Sequence, residues 1–179
     1  MLEAFYNQLQ LEYEKEKDQI RDFMNKNHPS LLTESSITAI RDFILGMPLI
    51  IRILNTLQMK NMLNSEEKLL YGFLVSYLLE PNDLLPKNQY GFFGYLDDAY
   101  LTGIISKNIF AGKKLSDLED LSFDTDLINH YLALLDRTKI FIPQDIREKL
   151  DNTYKDAINM ALGITRQINI EEIEKNLFN

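Results

Sequence analysis

The sequence predicts an all-α fold, an irregular bundle of about six to seven helices with a Pro/Gly/Asp-rich turn between two apolar helices. In each periodic stretch the apolar residues recur every three or four positions, which is the spacing of one helix face. No stretch alternates apolar and polar residues convincingly enough to predict a strand. The chain has 179 residues, of which 45% are hydrophobic, and this is enough to bury a core. We therefore expect one all-helical domain over residues 1–179.

The first predicted element is an amphipathic N-terminal helix within residues 1–28. Its apolar positions recur at threes and fours, with one break at Glu16 and Lys17. Pro29 disfavours the helical conformation at the residue before it, so the helix should end there. The apolar face packs either against another chain or against this chain's own bundle, and both alternatives stay open. Its candidate interaction residues are Leu2, Phe5 and Leu9.

A second helix is expected to begin with a side-chain cap at Ser35 or Ser36. Pro48 lacks a backbone N–H and clashes with the preceding turn, so we expect a break or a kink near Gly46 and Pro48. The chain should then resume as a buried helix over residues 49–63, because this stretch is apolar on most sides.

Two further helices are expected to form a hairpin over residues 60–112. Asn64 followed by Glu67 has the pattern of a capping box, in which each side chain binds the backbone N–H of the other residue. This helix should run to about Leu79. The next helix should begin near Leu96, after a loop that contains proline and glycine.

Residues 113–179 are predicted to form the C-terminal helices. A polar loop over residues 113–126 has room for one short helical turn, and a helix follows over residues 124–139. Pro143 suits the first position of the next helix. Gly163 is expected to end that helix, which leaves a short amphipathic tail.

The most informative segment is the connection between the two apolar helices of the hairpin. Its prolines restrict the unfolded chain, and Asp83 can accept hydrogen bonds from nearby backbone amides. Asp97 and Asp98 lie in the first turn of the following helix, where carboxylates oppose the positive end of the helix dipole. Seven residues make up this motif: Tyr77, Pro81, Asp83, Pro86, Gly94, Asp97 and Asp98.

This motif resembles the YkvA-like domain of bacterial and archaeal proteins of unknown function. The resemblance covers residues 60–110 and rests on the intact spacing of Pro81, Asp83 and Pro86, followed by the glycine and the two aspartates. Lys87 stands where the family usually has an aspartate, and the loop to Gly94 is one residue longer. The resemblance implies a helical hairpin with an acidic turn, and it implies no established reaction.

A metal site is the alternative interpretation of the same acidic residues. Asp83, Asp97 and Asp98 are oxygen ligands of the kind that Mg²⁺ or Mn²⁺ prefers, and such an ion could assist hydrolysis of a phosphoester. Consecutive residues point about 100° apart around a helix, so one ligand and one helix cap are expected from the last two. No other cofactor is expected, and no catalytic set of residues is found in the sequence.

Composition narrows the range of partners. The chain carries 19 Lys and Arg against 27 Asp and Glu, a net charge of −8, so contact with nucleic acid is not expected. The absence of cysteine excludes disulfides, thiolate metal sites and thiol catalysis. The longest uncharged apolar run, residues 69–79, is shorter than the roughly 20 residues that span a bilayer. The N-terminus lacks the pattern of a signal peptide, and we expect a cytoplasmic protein.

Our first hypothesis is a non-catalytic helical module that works by protein–protein contact, as a subunit or an adaptor, with a protein partner or by self-association. The aromatic residues Phe92 and Phe93 either contribute to such an interface or belong to the core. A divalent-metal-dependent hydrolase is the first alternative. Peripheral attachment to a membrane is the second, and the negative charge of the chain disfavours it.

Overall fold

A computed structural model describes residues 2–80, 84–114, 118 and 121–177, with side chains for all of these except 2 and 168–177. Within the described residues the chain forms helices and connecting turns and no β-strand, which confirms the predicted all-α class. The longer elements are α1 Leu2–Asn27, α2 Glu34–Met59, α3 Ser65–Leu78, α4 Lys87–Tyr90, α5 Leu96–Ala111, α6 Thr125–Thr138 and α7 Gln144–Leu177. Short 3₁₀ turns are Pro29–Leu31, Gly91–Tyr95 and Lys139–Phe141.

Helix α2 lies at the centre of the bundle and packs against α1, α5 and α6. Buried apolar side chains follow each other along its whole length, from Ile37 to Leu57. Helix α7 packs against α3 and α5 on the other side. Helix α5 thus contacts both α2 and α7, and the described part of the connection before it contains Pro86 and Gly94 of the predicted motif.

Of the two alternatives expected at Pro48, the break is wrong, because α2 continues through this residue, and the kink stays a prediction. A proline inside a helix costs about 3 kcal/mol, but each fully buried Ile or Leu side chain contributes about 1.5–3 kcal/mol, and α2 buries many of them. Gly46 has a packing role instead of ending the helix. A Cβ atom at this position would lie 2.8 Å from Cδ2 of the Tyr131 ring on α6.

Side chains cap the start of three described helices, and one of these caps is the predicted one. Asn64 and Glu67 form the predicted capping box at the start of α3. Asp124 caps α6 by accepting hydrogen bonds from two backbone N–H groups. The cap of α2 is Thr33, whose hydroxyl accepts from the N–H of Ser36, so the expected cap at Ser35 or Ser36 lies two or three residues too late.

Helix α7 is also longer than expected, since it runs through Gly163 without ending. A glycine inside a helix costs about 1 kcal/mol relative to alanine, which is too little to stop a helix with favourable residues on both sides. The predicted separate tail, residues 170–178, is therefore the end of the same helix as far as Leu177, and residue 178 lies outside the described residues. Residues 115–117 and 119–120 of the predicted polar loop also lie outside them.

A buried ion pair connects the end of α5 to the beginning of α3. The Nζ atom of Lys113 lies 2.6 Å from Oε2 of Glu67 and donates a second hydrogen bond, 2.7 Å long, to the carbonyl oxygen of Met62. The same Glu67 oxygen accepts from the backbone N–H of Asn64 at 2.8 Å. The side chain of Glu67 thus has two roles: it completes the capping box at the start of α3, and it binds Lys113 from a distant part of the chain.

Candidate functional site

Asp97 connects the three parts of the hairpin motif, which are helix α3, the loop that follows it and the start of helix α5. Its side chain is fully buried, and Oδ2 accepts hydrogen bonds from the Tyr77 hydroxyl at 3.3 Å and from the Leu85 backbone N–H at 3.1 Å. Oδ1 accepts from the N–H of Asp98 at 3.0 Å. A buried carboxylate needs such donors to offset the loss of water. Asp97 therefore fastens α3 and the following loop to the start of α5.

The carboxylate of Asp98 forms an ion pair with a different residue, Lys87. Its Oδ2 atom lies 3.1 Å from Nζ of Lys87, and the side chain of Asp98 is 3% exposed against 33% for Lys87. The ammonium group of Lys87 also lies 4.5 Å from the centre of the Tyr95 ring, within the range of a cation–π contact. Lys87 thus places a positive charge beside the second aspartate of the motif.

Gly94 is required because two backbone segments meet at this position. A Cβ atom there would lie 2.9 Å from the carbonyl oxygen of Leu85 and 2.9 Å from Cα of Lys87. Real Cβ atoms do not approach backbone atoms this closely without a shift of the chain. The glycine of the motif therefore allows the loop after α3 to pack on the 3₁₀ turn before α5.

Helix α1 contributes a residue to this region that the sequence pattern did not single out. Glu16 is half-buried, and its Oε2 accepts a 2.5 Å hydrogen bond from the backbone N–H of Phe92. The neighbouring Gly91 has a positive φ of 55°, a conformation that favours glycine. The break in the apolar periodicity of the first helix was the available signal, because it marks a polar residue on the inner face.

The predicted metal ligands do not converge in the described part of the chain. Asp97 faces Tyr77 and Leu85, whereas Asp98 faces Lys87. Asp83 and Pro81 lie outside the described residues. Among the residues that the structure does describe, no three His, Asp or Glu side chains are placed to hold a metal ion. The metal site therefore stays a prediction.

Most of the predicted interaction residues pack inside the chain itself. Leu9 and Phe92 are fully buried, and Phe93 is 1% exposed. The ring of Phe93 lies 4.0 Å from that of Phe23 on α1, and the ring of Phe92 lies 5.3 Å from that of Tyr13 (both distances between ring centres). Phe92 and Phe93 thus belong to the core, and α1 packs against its own bundle.

The other two predicted interaction residues are placed differently. Phe5 is half-buried, with its ring centre 6.3 Å from that of Tyr95, and it lines an open cavity. The side chain of Leu2 lies outside the described ones. Phe5 is therefore the one member of the predicted set with a side chain described at an accessible surface.

The cavity has a volume of about 730 Å³ and lies between α1, α2, α3 and the start of α5. Its walls are largely apolar, and its charged lining groups are Lys87 and Asp98, which pair with each other. The remaining polar side-chain groups are the Asn55 amide and the hydroxyls of Tyr71 and Tyr95. Its lining residues are Phe5, Ile51, Asn55, Tyr71, Val75, Leu78, Leu79, Lys87, Tyr95 and Asp98.

Asn55 and Tyr71 form the polar pair on one side of this cavity. The Tyr71 hydroxyl donates to Oδ1 of Asn55 at 3.3 Å, and Nδ2 of Asn55 lies 3.7 Å from the sulfur of Met59. Burial raises the pKa of the Tyr71 phenol, so this group stays protonated and remains a donor. The sequence pattern singled out neither residue, because an asparagine on a buried helix carries no local signal.

Comparison of the chain with protein-family models, with curated proteins and with solved structures finds no match. The resemblance to the YkvA-like domain stays a prediction. In the described part of the chain, no helix combines the length and the apolar character needed to cross a membrane.

Proposed function

We propose that this chain is a non-catalytic helical module that works by contact with a protein partner, as a subunit or an adaptor of a larger assembly. The two described aspartates of the motif support a structural role. Asp97 is fully buried with donors from two other segments, and Asp98 pairs with Lys87. Carboxylates used in this way position the hairpin, so the accessible apolar surface is the better candidate for function.

The observation that carries the proposal is the exposure of two large apolar side chains, Leu79 in the lining of the cavity and Met59 one helical turn beyond the cavity-lining Asn55. Leu79, which caps the C-terminal end of α3, is 78% exposed, and Met59 at the end of α2 is 76% exposed. Burying such side chains against a partner is favourable, by about 25 cal/mol per Å² of apolar surface. Exposed apolar surface of this kind marks interaction sites in many proteins.

Both side chains belong to rows of residues spaced by one helical turn. On α2 the row is Ile51, Asn55 and Met59, and on α3 it is Tyr71, Val75 and Leu79. Residues four positions apart lie on the same helix face, and members of both rows line the cavity. We call this surface the α2–α3 face. We infer that the partner lays the apolar side of an amphipathic helix on this face, a common mode of recognition between proteins.

The test is capture of the tagged full chain from its native cells, in mild detergent and low salt. The variant Leu79→Glu with Met59→Glu places two carboxylates on the α2–α3 face. The matched control Leu11→Glu with Met160→Glu changes side chains that are 62% and 67% exposed elsewhere. Circular dichroism should show unchanged helicity in both, because all four side chains are exposed.

We expect one stoichiometric protein to co-elute with the wild type and the control and to be lost with the face variant. If the partner is a second copy of the chain, light scattering should give a dimer for the wild type and the control and a monomer for the face variant. A monomeric chain that co-elutes with no other protein would contradict the proposal, and so would a partner retained by the face variant.

The metal-dependent hydrolase remains the alternative that the acidic motif suggests, and it has a direct test. A metal that binds the native state raises the melting temperature. A shift with millimolar Mn²⁺ or Mg²⁺ that is lost in Asp83→Asn would favour this alternative. We expect no shift, because Asp97 and Asp98 are already engaged in the fold.

A further inference from the structure

The interior of the cavity has the size and lining of a small-molecule site. Pockets that bind small molecules have volumes of about 300–1,000 Å³ and are mostly apolar, with a few polar groups, and this cavity measures about 730 Å³. Aromatic rings from α1 and α3 and aliphatic side chains from α2 and α3 form its walls. An apolar chain or ring bound inside this cavity would therefore be shielded from water.

The charges in the lining disfavour a charged ligand. Lys87 and Asp98 sit 3.1 Å apart, so the cavity contains one positive and one negative group that offset each other. A carboxylate brought to Lys87 would also approach Asp98, and an ammonium group brought to Asp98 would also approach Lys87. In a partly buried site each such like-charge approach is costly.

Asn55 supplies the group that would orient a neutral ligand. Its Oδ1 atom accepts from Tyr71, whereas the contact of its Nδ2 atom is the thioether sulfur of Met59 at 3.7 Å. A thioether is a weak acceptor. A hydroxyl or carbonyl oxygen is a stronger acceptor than a thioether. A ligand oxygen would therefore form a stronger hydrogen bond with Nδ2 of Asn55 than the sulfur of Met59 does.

We propose that this cavity binds a single-chain, uncharged amphipathic molecule. Its apolar chain lies against Val75, Leu78 and Ile51, and its hydroxyl or carbonyl oxygen accepts a hydrogen bond from Nδ2 of Asn55. The proposal places the molecule inside the cavity, against Ile51, Asn55 and Val75 of the α2–α3 face, whereas the test of the protein contact changes the exposed side chains of Leu79 and Met59. It therefore goes beyond the proposed function and does not depend on it.

The experiment compares three probes of one chain length, 1-decanol, decanoate and decylammonium, on the purified full chain near neutral pH. Each probe is kept below the concentration at which it self-assembles. Binding is followed by the methyl resonances of Val75, Leu78 and Leu79 and by titration calorimetry. We expect decanol to bind at least about tenfold more tightly than either charged probe, a difference of about 1.4 kcal/mol.

Two variants and one control locate the bound molecule. Val75 is half-buried and lines the cavity, so Val75→Phe should fill the space and weaken decanol binding by about tenfold or more. Ile164→Phe makes a similar enlargement on α7, at a side chain that is 39% exposed, and should leave binding unchanged. Asn55→Leu should weaken decanol binding several-fold while the methyl resonances of the wall still respond, because only the polar end loses its donor.

Each possible result decides the proposal. Absence of binding by all three probes would overturn it, as would decanol binding that survives Val75→Phe. A charged probe that binds more tightly than decanol would overturn the assignment of a neutral ligand. Because the purified chain is used alone, failure here leaves the protein-contact proposal intact, and failure of the capture experiment leaves this one intact.

Discussion

At the scale of single residues, the motif aspartates act as buried connectors. Asp97 is fully buried and joins segments that are 12 and 20 residues apart in the chain. The position of Asp97 in the first turn of α5 could be predicted from the sequence. Its hydrogen-bond donors Tyr77 and Leu85 could not, because only the tertiary fold brings them close to it. This is why the sequence identified the residue as special and still left its role open.

Asp97→Asn should destabilise the protein. The amide would present N–H groups to the donors that now face Oδ2, and hydrogen bonds to a charged group contribute about 1.5–3 kcal/mol each. We expect a loss of about 2 kcal/mol or more, measured as the free energy of unfolding in urea. Asp126→Asn, in the exposed first turn of α6, is the control. Equal effects of the two substitutions would contradict the connector role.

Tyr131 is a buried tyrosine whose protonation state determines how the free energy of unfolding changes at alkaline pH. Its hydroxyl donates to the carbonyl oxygen of Ala99 at 2.9 Å. Burial, together with the charge of Asp98, raises its pKa well above the usual value, and burial and a hydrogen bond to Asp151 raise that of Tyr100. Unfolded tyrosines lose their protons near pH ~10. Above that pH the unfolded state binds fewer protons than the native state, so stability falls.

We therefore expect the urea midpoint to be constant up to pH ~10 and to decrease above it. Tyr131→Phe combined with Tyr100→Phe should be less stable near neutral pH, because two hydrogen bonds are lost, but should show a shallower decrease at alkaline pH. Parallel curves for the wild type and the double variant would show that these two phenols do not control the alkaline transition.

At the scale of elements, tertiary packing decides where the long helices end. The capping box of Asn64 and Glu67, a signal within one helical turn, is confirmed, whereas the cap of α2 is Thr33 and not Ser35 or Ser36. Pro48 and Gly163 are also local signals, but both helices continue through them. In α2 the burial of the helix outweighs the proline, and burial against distant segments is not visible in a local sequence window.

A set of glycine substitutions should separate propensity from packing. A Cβ atom at Gly163 or Gly72 meets no atom within 4 Å, so Gly→Ala should stabilise α7 or α3 by about 0.5–1 kcal/mol. At Gly46 the same change places Cβ 2.8 Å from the Tyr131 ring and should destabilise the protein. Thermal unfolding of the three variants shows whether each substitution raises or lowers the melting temperature. A stabilising Gly46→Ala would contradict the tight approach of α2 and α6.

At the scale of the whole molecule, the fold class could be predicted and the function could not. The all-α class follows from apolar periodicity, which each helix shows by itself. The cavity depends on side chains from α1, α2, α3 and α5, and no periodic pattern marks their meeting point. Glu16 lies 76 residues from its partner Phe92, so its role also depends on how the elements assemble.

The net charge of −8 predicts how the whole molecule behaves toward lipid surfaces. Anionic vesicles repel acidic proteins, so the chain should remain unbound in a flotation assay with such vesicles. Neutral vesicles serve as the comparison, because they remove the repulsion and leave apolar contact through Leu79 and Met59. Flotation with anionic vesicles at physiological salt would contradict this prediction and favour peripheral attachment to membranes.

The hydrogen bond between Glu16 and Phe92 also bears on the order in which the chain folds during synthesis. A ribosome adds about 5–20 residues per second, so the 76 residues between these partners take about 4–15 s to make. During that interval the α1 rings of Tyr13 and Phe23 lack the phenylalanines against which they finally pack. A newly made N-terminal half thus presents aromatic surface to the ribosome exit and its chaperones until the 3₁₀ turn emerges.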